Sequence, residues 1–408
     1  MRVLPLIILL FLLDYFAFNA FAAISEDWSN WGRTIVNTVY WMLPILAVGL
    51  TYSFSTGATA NWSKNTFTIV RSTIMLSYFS KFLIIAVLIF GDIGQLVFSL
   101  FKSITDEVAF DYGRTKLVSQ IAVAIGVTPF FILLYGILRN QYRYKIYKTM
   151  VTIPDLPKAL EGLKIVQISD IHSGSFTKKH PIKMAIDMIN DQRADLVFFT
   201  GDLVNSVAHE MEPFVDVFDK IKSRYGIFSI LGNHDYGDYV RWESTAHKMQ
   251  NFENLKNIHS RLGWDLILND NRLVKIKGED VAVIGVENYS AHGRFMKYGD
   301  LKKANKGTSD AGLKLLLSHD PSHWEDEVLE KFKDIHITFS GHTHGAQFGF
   351  EIPGIIKWSP IKYIYKQWAG LYRKNKQYLY VNRGFGFLGY PGRVGILPEI
   401  TVMELRKE

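Results

Sequence analysis

The chain has 408 residues, more than one ordinary domain holds, so at least two parts are expected. It contains no cysteine, which excludes disulfides, thiolate metal sites and a cysteine nucleophile, and leaves oxygen and imidazole as ligands for any metal. The net charge of +7 sits mostly in residues 1–150, with 12 Lys/Arg against 7 Asp/Glu; the remainder holds 34 against 32, so a nucleic-acid partner is not expected.

Residues 1–148 read as a transmembrane region. A spanning helix needs about 20 apolar residues, and four stretches supply them: Leu4–Ala23, Ile35–Phe54, Phe82–Phe101 and Leu117–Leu138. Trp28, Trp31, Trp41 and Trp62 lie near their ends, where amphipathic rings favour the headgroups. Pro44 and Pro129 fall inside spans as tolerated kinks. The second loop is basic (Lys64, Arg71, Lys81) and the third mixed (Lys102, Asp106, Glu107, Asp111, Arg114, Lys116). Arg139, Arg143, Lys145 and Lys148 follow the last span. The positive-inside rule then predicts a multi-pass cell-membrane protein with its N-terminus and its C-terminal part in the cytoplasm. Cleavage of the first segment as a signal peptide would leave three spans. Asp14 and Asp92 fall within spans, either as functional acids or as groups at an interface or facing neighbouring helices; the second reading is preferred.

Residues 149–162, with Pro154 and Pro157, read as a linker. Short apolar runs follow: Leu163–Ile168, Leu196–Thr200, Gly226–Leu231, Val281–Val286, Leu313–Ser318 and Ile335–Ser340. Helical segments such as Pro181–Asp191 and Pro213–Arg224 lie between them. Continuous apolar strands alternating with helices predict an α/β domain over 163–408.

Five of those strands run into polar clusters: Asp170-Ile171-His172, Gly201-Asp202, Gly232-Asn233-His234-Asp235, His319-Asp320 and Gly341-His342-Thr343-His344. Each alone has a bland reading as a turn or strand end, though Gly-Asn-His-Asp is more specific and Gly-His-Thr-His-Gly more specific again; their joint occurrence in order removes the bland reading. Ligands of open α/β sheets bind beyond the carboxyl ends of strands, so five such ends in order converge on one site. All 12 histidines lie at or beyond His172. Asp170, His172, Asp202, Asn233, His319, His342 and His344 suffice for two octahedral-like sites sharing one ligand. Carboxylate, amide and imidazole suit Mn²⁺, Fe²⁺ or Zn²⁺. Two such metals clamp attacking and leaving oxygens of a phosphoryl displacement and provide hydroxide near neutral pH.

These ordered motifs resemble the calcineurin-like metallophosphoesterase superfamily over about residues 160–405. The resemblance implies a four-layer sandwich, two β-sheets flanked by helices, behind the all-α transmembrane region. It implies Asp170 and His172 on the first metal with His344, Asp202 as the bridge, and Asn233, His319 and His342 on the second. His234 would contact the scissile phosphate and protonate the leaving oxygen. Within the superfamily the chain is most similar to a membrane-linked branch whose last motif reads Gly-His-Thr-His-Gly-Gly-Gln; it has Ala346 for that motif's last Gly, then Gln347, and Arg393 and the Pro398-Glu399-Ile400 run also resemble that branch. Some members of that branch act on lipid-linked phosphodiesters or pyrophosphates, including nucleotide-linked lipid A precursors. The family often has Asp where this chain has Asn205. The Asn205 amide is expected to accept a hydrogen bond from the His234 ring without stabilising its cation, with Asp235 compensating.

From Ile352 to Tyr390 the chain mixes aromatics with Lys and Arg, including Trp358, Lys362, Tyr363, Tyr365, Trp368 and Tyr372. Two readings stand level: a membrane-surface segment, or the aromatic edge of a core with solvated charges. Arg294, Arg383 and Arg393 are candidate phosphate clamps, because guanidinium pairs bidentately with phosphate oxygens. The leading function is hydrolysis of a phosphodiester, pyrophosphate or phosphomonoester, lipid-borne, by attack of a metal-bridging hydroxide at the membrane. The alternatives are a non-catalytic membrane sensor or binding module built on the same metal domain, and a transporter or proton relay through Asp14 and Asp92.

Overall fold

The computed structural model describes residues 4–105, 115–293, 295–352 and 355–408. The chain divides into two compact units, Met1–Leu138 and Arg139–Glu408.

The first unit holds helices α1 (Leu4–Ser25), α2 (Asn30–Thr56), α3 (Lys64–Thr105) and α4 (Lys116–Tyr135). All four are long and apolar enough to cross a membrane. Ser29 caps α2 by accepting from the Gly32 N–H, and Gly57 ends it in the left-handed region. Helix α3 begins well before the expected span. The stretch from Lys64 to Lys81 is polar enough to read as a loop, but no proline interrupts it. Lys81 is therefore not a loop cation. It is buried inside α3 and ion-paired with Asp14 of α1. The Tyr78 hydroxyl donates to Asp14 Oδ2 (3.2 Å), and the Tyr40 hydroxyl of α2 donates to the Asp14 carbonyl (2.7 Å). Asp14 thus faces its neighbours in the bundle, as the preferred reading expected. Asp106, Glu107, Asp111 and Arg114 of the third loop lie outside the described residues.

In the second unit, the segment read as a linker is largely structured. Strand β1 (Lys145–Ile153) pairs in parallel with the last strand, β14 (Glu399–Lys407). Val151, Ile153, Leu156 and Leu160 are buried. In β1 only Val151 and Ile153 are buried while Lys145, Lys148 and Met150 are exposed, so the strand has no continuous apolar run in the sequence, and Pro154 and Pro157 mark turns on the domain surface, not a tether. One sheet has the order β1-β14-β2-β3-β4-β5, with β2 (Lys164–Ile168), β3 (Leu196–Thr200), β4 (Ile227–Ile230) and β5 (Asp265–Leu266). The other has the order β12-β13-β9-β8-β7-β6. Its strands are β6 (Asp270–Ile276), β7 (Glu279–Gly285), β8 (Leu313–Leu317), β9 (Ile337–Ser340), β12 (Gly370–Lys374) and β13 (Gln377–Val381). A separate hairpin joins β10 (Phe350–Ile352) to β11 (Ile356–Trp358).

The sheets pack face to face through side chains such as Ile165, Phe198, Ile230, Val283, Leu315 and Phe339, with Phe198 and Phe339 meeting edge-on at 5.0 Å. Helix α5 (His180–Asn190) covers the outer face of the first sheet with Ile182, Ala185, Ile186 and Ile189. Trp324 and Val328 help to cover the outer face of the second. Both faces of each sheet are covered, which is why β3 and β8 are buried at every residue. The expected α/β four-layer arrangement is present. The expected helix over Pro213–Arg224 shrinks to a single turn, α6 (Val215–Phe218), while the longest helix of this unit is α7 (Thr245–Arg261). Strands β2, β3 and β4 run parallel in register, as do β8 and β9, so each set of carboxyl ends comes out on one side.

Candidate metal centre and active site

Two groups of ligand-type side chains form at those strand ends: Asp170, His172 and His344, and Asp202, His319 and His342. In the first, His172 Nε2 lies 3.0 Å from His344 Nε2, and His344 Nε2 lies 3.2 Å from Asp170 Oδ1. In the second, His342 Nδ1 lies 3.2 Å from His319 Nε2 and 2.8 Å from Asn233 Oδ1. The carboxylate of Asp202 joins the groups: its Oδ2 is 3.2 Å from His319 Nε2 and 3.5 Å from His172 Nε2. So many acceptor-type atoms meeting in a buried space repel one another unless cations lie among them, and carboxylate, amide and imidazole are the donors of hard-to-borderline divalent metals. The residues therefore fit divalent metal ions, which the two groups would hold on either side of Asp202.

The backbone is bent to make this possible. Asp170, His172, Asp202, His342 and His344 all have positive φ, between 47° and 71°. Non-glycine residues in that region cost about 1–3 kcal/mol each, and such strain persists where surrounding structure enforces it. Two glycines let the loops close in. A Cβ on Gly232 would stand 2.2 Å from Asp202 Oδ1, and one on Gly341 would stand 2.3 Å from Asp170 Oδ2.

Outer contacts orient the rings. His319 Nδ1–H donates to the Thr200 carbonyl (2.7 Å), which turns Nε2 to the centre. The Tyr365 hydroxyl donates to Asp320 Oδ2 (3.1 Å) and accepts from His342 Nε2–H (2.9 Å), which leaves the Nδ1 lone pair of His342 facing inward. Asp170 accepts the His342 backbone N–H (2.9 Å). Burial pushes His172 down to about 3. Burial also pulls on His319, but Asp202 and Asp170 override it and hold that ring up at about 10.

His234 stands beside the bridge. Its backbone N–H donates to Asp202 Oδ1 (2.9 Å), and its ring lines an open cleft of about 260 Å³ together with His172, Asn233, His342 and His344. Its Nδ1 donates to the backbone carbonyl of Asn205 (2.7 Å). The expectation that the Asn205 amide does this is corrected: that side chain bonds Ser175 (3.0 Å) instead, and the Asn205 N–H is held by Glu210 (2.6 Å). Asp235 does not compensate for a missing charge either. Its carboxylate accepts backbone N–H groups of Asp202 (2.8 Å), Leu203 (2.9 Å), Val204 (3.3 Å) and Gly232 (2.9 Å), clamping the two loops together. Burial, with Asp202 adding, pushes Asp235 up to about 7 against the pull of those N–H groups.

The arginines read as phosphate clamps are elsewhere. Arg383 is 2% exposed and engages Glu399 (2.7 Å) and Glu351 (2.9 Å). Arg393 is fully buried and donates to the carbonyls of Arg383 (2.6 Å), Gly384 (3.1 Å) and His344 (3.3 Å), bracing the loop behind the centre. Neither reaches the cleft, because their charges are needed to satisfy interior carboxylates and carbonyls. Arg294 lies outside the described residues. Sequence reasoning missed Tyr365, Asp320, Tyr239 and Glu210 as supports. Only Asp320, directly after His319, carried a signal; Tyr239, which accepts from Asn233 Nδ2 (2.8 Å), and Tyr365 come from segments without a motif.

Residues 1–141 match the family model described as "Probable Calcineurin-like phosphoesterase, transmembrane domain", and residues 163–346 match "Calcineurin-like phosphoesterase". The chain is similar to a Danio rerio "Transmembrane protein with metallophosphoesterase domain", 28% identical over 78% of this chain and 69% of that one. It is similar also to the metallophosphoesterase YkuE of Bacillus subtilis strain 168, 29% identical over 67% of this chain and 90% of that one. Among solved structures, TT1561 of Thermus thermophilus aligns over 57% of this chain and 91% of its own, at 11% identity and a TM-score of 0.35. With both family models matched and the ordered motifs gathered in one place, the chain carries a calcineurin-like phosphoesterase domain over residues 163–346, preceded by a match to that family's transmembrane domain over residues 1–141.

Proposed function

We propose that the protein hydrolyses a phosphoester at the cytoplasmic face of the membrane: a phosphodiester, pyrophosphate or phosphomonoester carried on a lipid. The observation that carries this reading is the Asp202 carboxylate lying between two ligand groups, with His234 bonded to its other oxygen. Asp170, His172 and His344 would hold one divalent metal, and Asn233, His319 and His342 the other. Bound there, the pair supplies an activated water and charge compensation for a phosphoryl group. Mn²⁺, Fe²⁺ and Zn²⁺ all suit the donors.

The chain's own groups complete the reaction. Because the Asn205 carbonyl can only accept, His234 carries its proton on Nδ1, and its Nε2 is the ring atom that serves the cleft. Protonated at Nε2, the ring donates to the leaving oxygen as the P–O bond breaks, while water oxygen bonds to phosphorus and gives up a proton. Phe295, Ile361, Ile364 and Leu388 give the cleft an apolar wall suited to a substrate with a hydrocarbon part. The four apolar helices and the basic run after the last of them support the membrane setting and its orientation.

The test is hydrolysis of bis-p-nitrophenyl phosphate by the full-length protein in detergent with Mn²⁺, beside Asp202→Asn. A fragment beginning at 155 would lack β1 and is not a fair test. Metal-dependent turnover abolished by Asp202→Asn is expected. Stoichiometric metal binding without turnover on either this ester or phospholipid-borne esters would replace the enzyme with a binding or sensing module.

A further inference from the structure

The hairpin β10–β11 forms a two-stranded sheet of its own. In its register Phe350 faces Trp358 and Ile352 faces Ile356, so these four share one face, while Glu351 and Lys357 share the other. The polar face is accounted for: Glu351 binds Arg383, and Lys357 lies over the rings of Trp368 (5.5 Å) and Tyr372 (4.4 Å). The apolar face is not. Phe350 stacks on Trp358 at 5.8 Å, yet Phe350, Ile352, Ile355 and Ile356 remain 46%, 51%, 79% and 48% exposed. A two-stranded hairpin in water is marginal without a covered face. A few residues further along the chain Tyr363 and Ile364 are exposed as well, and Ile364 with Ile361 lines the cleft. Lys362, over the Tyr363 ring at 5.2 Å, and Lys366 are exposed in the same segment.

We infer that this crest is a membrane-docking surface: the hairpin's apolar face lies in the headgroup–acyl boundary of the bilayer, with Lys362 and Lys366 at the level of anionic headgroups. Aromatic and branched apolar side chains flanked by lysines are the composition of an interfacial segment. Position supports it within the catalytic unit itself. Asn140, near the start of this unit, donates to the carbonyl of Arg393 (3.0 Å). The next residue, Val394, pairs with Phe348, which leads into β10. The hairpin therefore starts beside Asn140, the second residue of this unit. Docking there would place the Ile361–Ile364 wall of the cleft where a hydrocarbon chain could pass from the bilayer along it.

The inference is independent of hydrolysis and is tested without it. The chain has no cysteine, so Ile355→Cys in the full-length protein takes a single environment-sensitive fluorophore. Met249→Cys, 65% exposed on α7, is the reference. In nanodiscs containing phosphatidylglycerol, nitroxide-labelled lipid should quench the probe at 355 at least twofold more than the probe at 249, and iodide should quench it less. Ile356→Cys serves if the first variant does not fold. Equal quenching of both probes by iodide, with no lipid quenching at 355, overturns the inference. Shielding of 355 from both quenchers also overturns it, and assigns the crest to a protein partner or a second copy. Failure here with intact turnover on bis-p-nitrophenyl phosphate leaves the proposed activity standing.

Discussion

His234 Nδ1 lies 2.7 Å from the backbone carbonyl of Asn205, so the ring is oriented by main chain and not by the side chain at that position. Asn205→Asp is therefore expected to leave the pH–rate profile within about half a unit, because the charge that would favour the imidazolium is not at the ring. Its cost should appear as stability instead, since the new carboxylate would stand against Glu210. His234→Ala should lower turnover by about 10²–10⁴, the usual worth of a positioned general acid. Stopped assays across pH 5 to 9 distinguish the two positions.

Gly232→Ala would set a Cβ 2.2 Å from Asp202 Oδ1 and push that carboxylate out of place. Metal retention after desalting, read by elemental analysis, should fall roughly tenfold or more, the range seen when ligand orientation is lost. Full metal content in this variant would show that Asp202 is not placed by that loop.

Tyr365→Phe removes the hydroxyl between His342 Nε2 and Asp320. The expected loss is about 10–100-fold in metal affinity, with folding stability changed by only about 1 kcal/mol. Competition titration against a chelating dye and a thermal melt separate the two effects.

His259 packs against Phe199 and Trp264, and its Nδ1 meets Ser229 Oγ at 2.9 Å. Burial pushes its pKa down to about 3 from 6.5. Between those values the unfolded chain binds the proton and the folded one does not, so the stability it protects is complete above pH 6.5 and is lost as pH falls toward 3. Each unit of that window is worth about 1.4 kcal/mol at most. His259→Phe should flatten the fall in melting temperature of the full-length protein between pH 7 and 5; an unchanged slope would put the acid lability elsewhere.

Lys81 and Asp14 are a buried pair with Tyr78 and Tyr40 on the same carboxyl residue. Removing one partner strands a charge, at a cost of about 3–5 kcal/mol, whereas Asp14→Leu with Lys81→Met should recover most of the loss. Melting of both variants in detergent measures this. Turnover on a soluble ester should survive the double change, which a proton relay through Asp14 would not.

The sequence by itself determined the division into apolar helices and an α/β domain, because hydrophobic run length and strand period are local properties. It pointed to Asp170, His172, Asp202, Asn233, His319, His342 and His344 as one group as well, because each lies within a few residues of a strand end and strands in register bring their ends together. Tertiary structure decided what lies behind those residues. Arg383 and Arg393 looked like surface clamps until Glu399, Glu351 and the carbonyls around Gly384 were seen to take up their donors. The lysine at 81 looked like a loop charge until Asp14 was seen to neutralise it within the bundle. The aromatic stretch after Ile352 divides between inside and outside: Tyr365 and Trp368 are buried, and Ile355 and Tyr363 are exposed. Partners distant in the chain leave no periodic trace, and whether a charged or aromatic side chain is spent inside or presented outside is settled only when those partners are brought into contact.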